Sequence, residues 1–193
     1  IQLAAETYSE GEPVDPQGKA ITIQGVVDKK GRPTSILDGQ NSQVARCEND
    51  EDGQTRFQDL VIRNGGAIRG GGLYCFYANP TLANVVFESC TADRGGGAYF
   101  YGASTGDFFI TGCTFSSNSV SGNWGEGGGL YLFGTGGSVT HCLFQGNAAI
   151  VKGGGLYAEY GPAVISQCTF TDNDGGSGGG AWVTGTTQAA DCG

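Results

Sequence analysis

Five copies of one short motif govern what this chain can fold into. Gly70-Gly71-Gly72-Leu73-Tyr74 returns as Gly95-Gly96-Gly97-Ala98-Tyr99, Gly127-Gly128-Gly129-Leu130-Tyr131, Gly153-Gly154-Gly155-Leu156-Tyr157 and Gly178-Gly179-Gly180-Ala181-Trp182. The steps between copies are 25, 32, 26 and 25 residues. A second motif, Phe-x-x-Asn, falls between them at Phe115–Asn118, Phe144–Asn147 and Phe170–Asn173. Self-similarity at a period of roughly 20–50 residues marks a stack of similar units, each burying its apolar face against the next.

Every repeat after residue 55 offers two strands. The first ends at Ile62, Phe87, Phe115, Phe144 and Phe170, with Leu60, Val85, Cys113, Cys142 and Cys168 two residues earlier. Side chains alternate along a strand, so these two columns share a face, expected to be inward, and Cys192 extends the cysteine column. The polar column Asp59, Asn84, His141 and Gln167 is expected to face out. The second strand follows each glycine triplet. Leu73 and Cys75 share one side with their counterparts; Tyr74 and Phe76 share the other, which we expect to be outward because Glu159 and Thr184 lie on it. Equivalent strands of successive coils run the same way, which gives parallel pairing about 4.8 Å apart. Asn118, Asn147 and Asn173 then stack at one corner, where a side-chain amide can satisfy turn backbone and bond its neighbours. The glycine triplets occupy another corner, where close approach or positive φ excludes a Cβ.

Residues 1–46 are less regular. Ile1–Ala5 reads as a first strand or cap, Ala20–Ile23, Ser35–Leu37 and Val44–Arg46 as short strands, and 12–16 and 28–33 as loops. No linker divides the chain, so 1–193 reads as one domain: an irregular N-terminal part, 1–46, and a regular one, 47–193. No leader peptide is recognisable at the start, which reads as a mature or trimmed chain. The chain stops mid-pattern at Asp191-Cys192-Gly193, which reads as truncation or end-to-end stacking.

Thirty-seven glycines would suit a disordered linker, but 10 Phe, 8 Tyr and 2 Trp do not. A net charge of −9, from 10 basic and 19 acidic residues, argues against a nucleic-acid partner, which requires a basic face. No apolar run approaches membrane-spanning length. An extracellular or cell-surface location is the expectation.

At the glycine and Phe-x-x-Asn motifs the chain resembles the right-handed parallel β-helices of the pectin-lyase-like superfamily. More narrowly, Phe-x-x-Asn together with Gly65-Gly66-Ala67-Ile68 resembles the repeats of chlamydial polymorphic outer membrane proteins. The resemblance covers roughly residues 20–192 and implies an all-β chain: a single right-handed β-helix of about seven or eight coils. Such coils serve adhesins, lyases and structural proteins alike, so function has to come from the site.

Polysaccharide lyases and hydrolases need clustered acids, but Asp59, Asp107 and Glu159 are scattered over different repeats, and Arg56, Arg63, Arg69 and Arg94 lack a neighbouring acid cluster in the sequence. His141, the only histidine, has no partner in its column and reads as a surface residue. Glu48, Asp50 and Asp52 alternate before Gly53 like the front of a calcium loop, with Asp59 at the twelfth position; an acidic solvated turn is the competing reading. Cys113, Cys142, Cys168 and Cys192 read as stacked buried thiols in preference to disulfides, because directly stacked positions aim their side chains alike. Aligned outward threonines, Thr114 and Thr169, are interrupted by Leu143, which argues against an ice-binding lattice.

The aromatic columns carry the functional expectation. Tyr74, Tyr99, Tyr131, Tyr157 and Trp182 form one, and Phe76, Tyr101 and Phe133 the next. If outward and open, they form an apolar ladder larger than monomers usually expose, fit for protein contacts or for stacking on sugar rings. Trp124, on the segment 120–126 that lengthens the 32-residue step, is either a contact residue or a lid on this ladder. The expected function is a noncatalytic extracellular or surface repeat protein, an adhesin, surface or fibre component whose partners are other proteins or copies of itself. The alternatives are a carbohydrate-active β-helix, a lyase or hydrolase or a polysaccharide-binding fragment, and a self-assembling filament subunit. No cofactor is expected beyond the calcium candidate.

Overall fold

Short alternating segments separated by tight corners become strands that bond in parallel, in register, to their counterparts one repeat away. The computed structural model describes residues 1–9, 11–102 and 107–193. The chain is all-β, a right-handed parallel solenoid of about seven turns. Its strands line up as three faces.

The long face begins with Thr7–Tyr8, Thr22–Gln24 and Ser35–Asp38 and continues through Arg56–Arg63 and Thr81–Glu88. In later coils each long strand divides in two: Phe108–Thr111 with Thr114–Ser116, Gly137–Thr140 with Leu143–Gln145, and Val164–Ser166 with Thr169–Thr171. Gln188–Ala190 closes this face. A short face follows, built from Thr91–Ala92, Ser119–Val120, Ala148–Lys152 and Asp174–Ser177. The third, aromatic face stacks Ala45–Cys47, Leu73–Phe76, Ala98–Tyr101, Leu130–Phe133, Leu156–Glu159 and Ala181–Val183. Of the irregular N-terminal part, the strands expected near 20–23, 35–37 and 44–46 are present within a residue or two. Thr7–Tyr8 forms the first strand, whereas Gln2 makes only an isolated bridge to Gln24.

The corners are left-handed residues in register. The column expected to be simply outward, Asp59, Asn84, His141 and Gln167, has φ between +51° and +57°, with Gly112 at +61° in the same place. It bends the long face, so the polar residues stand at a turn instead of along a flat strand. Asn64, Ser89, Ser117, Gly146 and Asp172 repeat this at the next corner, and the first glycine of every triplet at the third. Asn and Asp tolerate this region better than most residues, and glycine enters it freely.

The inward columns are as the alternation requires. Leu60, Val85, Cys113, Cys142 and Cys168 are buried, with Ile62, Phe87, Phe115 and Phe144 beside them. Phe87, Phe115, Phe144 and Phe170 stack with centroids 4.9, 4.8 and 4.8 Å apart and planes within 7°. These distances match the strand spacing, so one rotamer repeated per coil builds a continuous rod of rings. All seven cysteines are free thiols, six of them buried and Cys192 exposed.

At the second corner Asn118, Asn147 and Asn173 form a hydrogen-bonded ladder. Asn147 Oδ1 accepts from Asn118 Nδ2 at 3.0 Å and from Asn118 N–H at 3.1 Å, while Asn147 Nδ2 donates to the Phe115 carbonyl at 2.9 Å. Asn173 repeats the pattern beneath Asn147. One coil earlier Cys90 holds the same place, and Gly65 N–H donates to its Sγ at 3.4 Å. Burial pushes the Cys90 thiol up to about 12.

The 32-residue step does not arise at one point. Residues 121–125 extend the corner after Val120, and further surplus lies between Tyr101 and Phe108, where 103–106 fall outside the described residues. The stacking is not disturbed: Leu130 pairs with Ala98 on one side and Leu156 on the other.

Candidate binding face

On the third face Leu73, Ala98, Leu130 and Leu156 point into the core, as do Cys75, Phe100, Leu132 and Ala158. The tyrosines between them therefore point outward. Tyr74, Tyr99, Tyr131, Tyr157 and Trp182 form one stack, with centroid spacings of 5.6, 4.8, 4.9 and 4.9 Å.

The ladder is outward but not open, which corrects the expectation of an exposed apolar stripe. Tyr99, Tyr131 and Tyr157 are each only 2% exposed, and only the end members Tyr74 and Trp182 are half-buried. Two things cover them. Each ring hides the faces of its neighbours, and a row of long charged side chains lies along one edge. Arg69, Arg94, Glu126 and Lys152 occupy successive coils, joined by parallel bridges. The Arg69 guanidinium stands 5.9 Å from the Tyr99 ring, Arg94 5.8 Å from Tyr131, and Lys152 Nζ 3.9 Å from Trp182. Cations over aromatic faces contribute about 0.5–2 kcal/mol each, more when shielded from water. Arg94 is also 5.6 Å from the Trp124 ring and forms a 3.4 Å ion pair with Glu126. Trp124 remains 68% exposed, so it covers Arg94 and is no lid on the tyrosines.

This row escaped the sequence reading, although its signal was present: each member immediately precedes a glycine triplet. The electrostatic consequences are clear. Burial raises Glu126 above the usual glutamate value despite Arg94 and Lys152, which pull it down. Burial also lifts the Tyr99 hydroxyl to about 12 and pushes Tyr131 well up. Tyr157 is raised by burial and by its hydrogen bond to Glu159.

The second aromatic column is the more accessible one. Phe76, Tyr101 and Phe133 stack at 5.6 and 5.3 Å and are half-buried. Tyr77 stands edge-on to Phe76 at 4.6 Å, and Tyr160 edge-on to Phe133 at 5.2 Å. Tyr77 and Tyr160 are 44% and 67% exposed. These two tyrosines were not among the expected contact residues, because they sit beyond the strand ends at left-handed corner positions, φ +52° and +59°. In the coil after Phe133, Glu159 replaces the aromatic and ends the strip.

The remaining candidates separate. Glu48, Asp50 and Asp52 do not converge: Glu48 lies 3.6 Å from Arg46, Asp50 is exposed at φ +59°, and Asp52 caps Gln54 N–H. Among the described residues no group of three or more His, Cys, Asp or Glu side chains is placed to hold a metal ion, which corrects the calcium candidate. The acid that matters in this loop is Glu51, buried and accepting from Gly18 N–H and Asn49 N–H at 2.8 and 2.9 Å. Asp59 accepts from Asn84 and Gln58 side chains instead of closing a loop. His141 is an exposed corner residue.

No curated protein and no solved structure matched the chain. The family model described as "Right handed beta helix region" matches residues 34–191, and the match does not extend to the narrower chlamydial repeats. The chain thus belongs to the right-handed β-helix family.

Proposed function

We propose that this chain is a noncatalytic extracellular or cell-surface module that binds other proteins through the aromatic face. One observation carries the reading. Phe76, Tyr77, Tyr101, Phe133 and Tyr160 form a continuous strip of five accessible aromatics, three stacked flat and two standing edge-on beside them. Its three stacked rings, Phe76, Tyr101 and Phe133, lie on paired strands, so little of their side-chain freedom is lost on binding, and aromatic residues dominate the energetic centres of protein interfaces. The neighbouring charged row gives such a contact a polar rim.

The test is a photo-reactive phenylalanine analogue placed at Tyr160, with Gln145 on the long face as control, irradiated in fluid from the producing culture. A discrete protein adduct at 160 and none at 145 supports the reading. Absence of adducts together with co-sedimentation with an insoluble polysaccharide overturns it. Pelleting of the protein alone points to a filament subunit instead.

A carbohydrate-active reading is favoured by a separate observation. Glu126, with its raised carboxyl, lies in the same row as Arg94 and Lys152, one coil from the Tyr157–Glu159 hydrogen bond. A carboxyl raised by burial and flanked by cationic side chains is one ingredient of acid–base work on a glycosidic bond. Release of reducing ends or unsaturated products from an acidic polysaccharide, abolished in Glu126→Gln, would establish it.

A further inference from the structure

The second aromatic column is bounded by a carboxylate at each end. Cys47 pairs with Cys75, so Glu48 stands beside Phe76 one coil away. Phe76 pairs with Tyr101, Tyr101 with Phe133, and Phe133 with Glu159. The order along the axis is therefore acid, three aromatics, acid. Neither acid is tightly neutralised. Among the described residues no Lys, Arg or His pairs with Glu159, which accepts from the Tyr157 hydroxyl. Glu48 is exposed and lies 3.6 Å from Arg46 Nε, which stands closer to Asp15, at 3.0 Å. Each end also has a tyrosine turned out of the stack. Tyr77 crosses Phe76 at 84°, and Tyr160, next to Glu159 in the chain, crosses Phe133 at 71°. A carboxylate beside an upright aromatic ring suits an ammonium or guanidinium group. The cations of this face are engaged elsewhere, with Arg69, Arg94 and Lys152 over the rings of the first column.

We infer that the partner, on the protein-binding reading above, presents an extended segment with two basic side chains about six residues apart and apolar side chains between them. Four coil steps of about 4.8 Å separate Glu48 from Glu159, roughly 19 Å in all. An extended chain rises about 3.3 Å per residue, so its first and seventh residues stand about 20 Å apart. Alternate side chains share a face, so the third and fifth point the same way as the basic pair. The basic pair meets Glu48 and Glu159. The apolar side chains meet the edges of Phe76, Tyr101 and Phe133, whose faces are taken up by one another. A net charge of −9 draws a basic partner and repels an acidic one.

The probe is a dye-labelled heptapeptide, Lys-Thr-Val-Thr-Val-Thr-Lys, titrated with the whole chain and followed by fluorescence anisotropy. Comparison peptides carry Glu or Gln in place of both Lys, or have the second Lys moved to the fourth position. The Lys peptide is expected to bind at least about tenfold more tightly than any of them, and less so as salt rises. Glu159→Gln, which keeps an acceptor for the Tyr157 hydroxyl, weakens it about threefold, and Glu48→Gln with Glu159→Gln about tenfold. Near-UV circular dichroism of the aromatic stack, unchanged in both variants, shows that they are folded.

Equal binding of the Lys and Gln peptides, tighter binding of the Glu peptide, or no binding of any peptide overturns the proposal. So does a double variant that binds the Lys peptide as wild type does. The photo-adduct at Tyr160 separates the two possible failures. An adduct without a preference for the Lys peptide keeps protein binding and removes the basic partner, whereas loss of both removes the protein-binding reading itself.

Discussion

Asn118 and Asn147 meet twice through one oxygen: Asn147 Oδ1 accepts both the backbone N–H and the side-chain amide of Asn118, at 3.1 and 3.0 Å. Both side chains are fully buried. The ladder therefore replaces water for turn groups that no strand pairing reaches.

Asn147→Ala removes the acceptor for two Asn118 donors and the donor to the Phe115 carbonyl in a single step. Unpaired buried groups cost about 1–3 kcal/mol each, with partial relaxation, so the expected loss is about 2–4 kcal/mol. Asn173→Ala, at the less buried end, is expected to cost less. Urea denaturation of both variants decides the matter; equal losses would show that the ladder's centre is not specially strained by removal.

The glycine triplets make a prediction about close approach. A Cβ on Gly97 would lie 2.5 Å from the Gly129 carbonyl oxygen and 3.1 Å from Phe115, so Gly97→Ala must separate two coils. A Cβ on Gly53 meets Thr81 Oγ1 at 3.6 Å, ordinary contact. Gly97→Ala is expected to lose about 2 kcal/mol or more, while Gly53→Ala is neutral or gains a few tenths through the unfolded chain. Thermal melts of the pair test this directly.

The tyrosine stack sets the alkaline limit. Tyr99 holds its proton to about 12, against an ordinary 10.0. Between those values the folded chain keeps a proton that the unfolded chain has released, so stability is full below pH 10 and falls as pH rises towards 12. Tyrosinate absorbance should therefore show a late component that coincides with loss of the circular-dichroism signal. A late component without unfolding would mean that the stack ionises in place.

Glu126 behaves in the same sense at acid pH. Its folded value lies above the ordinary 4.5, so the native state gains a proton that the unfolded chain gives up, and stability falls as pH rises through that window. Glu126→Gln is expected to be more stable than wild type at neutral pH, with the difference vanishing below about pH 4. A less stable variant at neutral pH would show that the Arg94 ion pair outweighs burial.

The repeat made the coil path legible before any coordinates. Phe115 and Cys142 had to be inside because alternation and stacking leave them nowhere else. The corners were less visible: His141 and Gln167 look like strand residues in the sequence, and only the backbone shows them at positive φ. The tyrosine ladder was identified residue by residue, yet its burial was not. That burial comes from each ring's stacked neighbours and from Arg69, Arg94 and Lys152, whose charged ends stand over Tyr99, Tyr131 and Trp182. Sequence alternation assigns a side, but coverage depends on what leans over it. Tyr77 and Tyr160 were missed for a related reason, since a corner residue belongs to no strand pattern.

The corner between Val120 and Glu126 holds extra residues while the strands before and after it keep their partners. For protein engineering this is a splice port. A foreign peptide grafted between Ser121 and Gly125 would be carried on a rigid post, its payload outside the stack and its anchor points set by coils that do not depend on it.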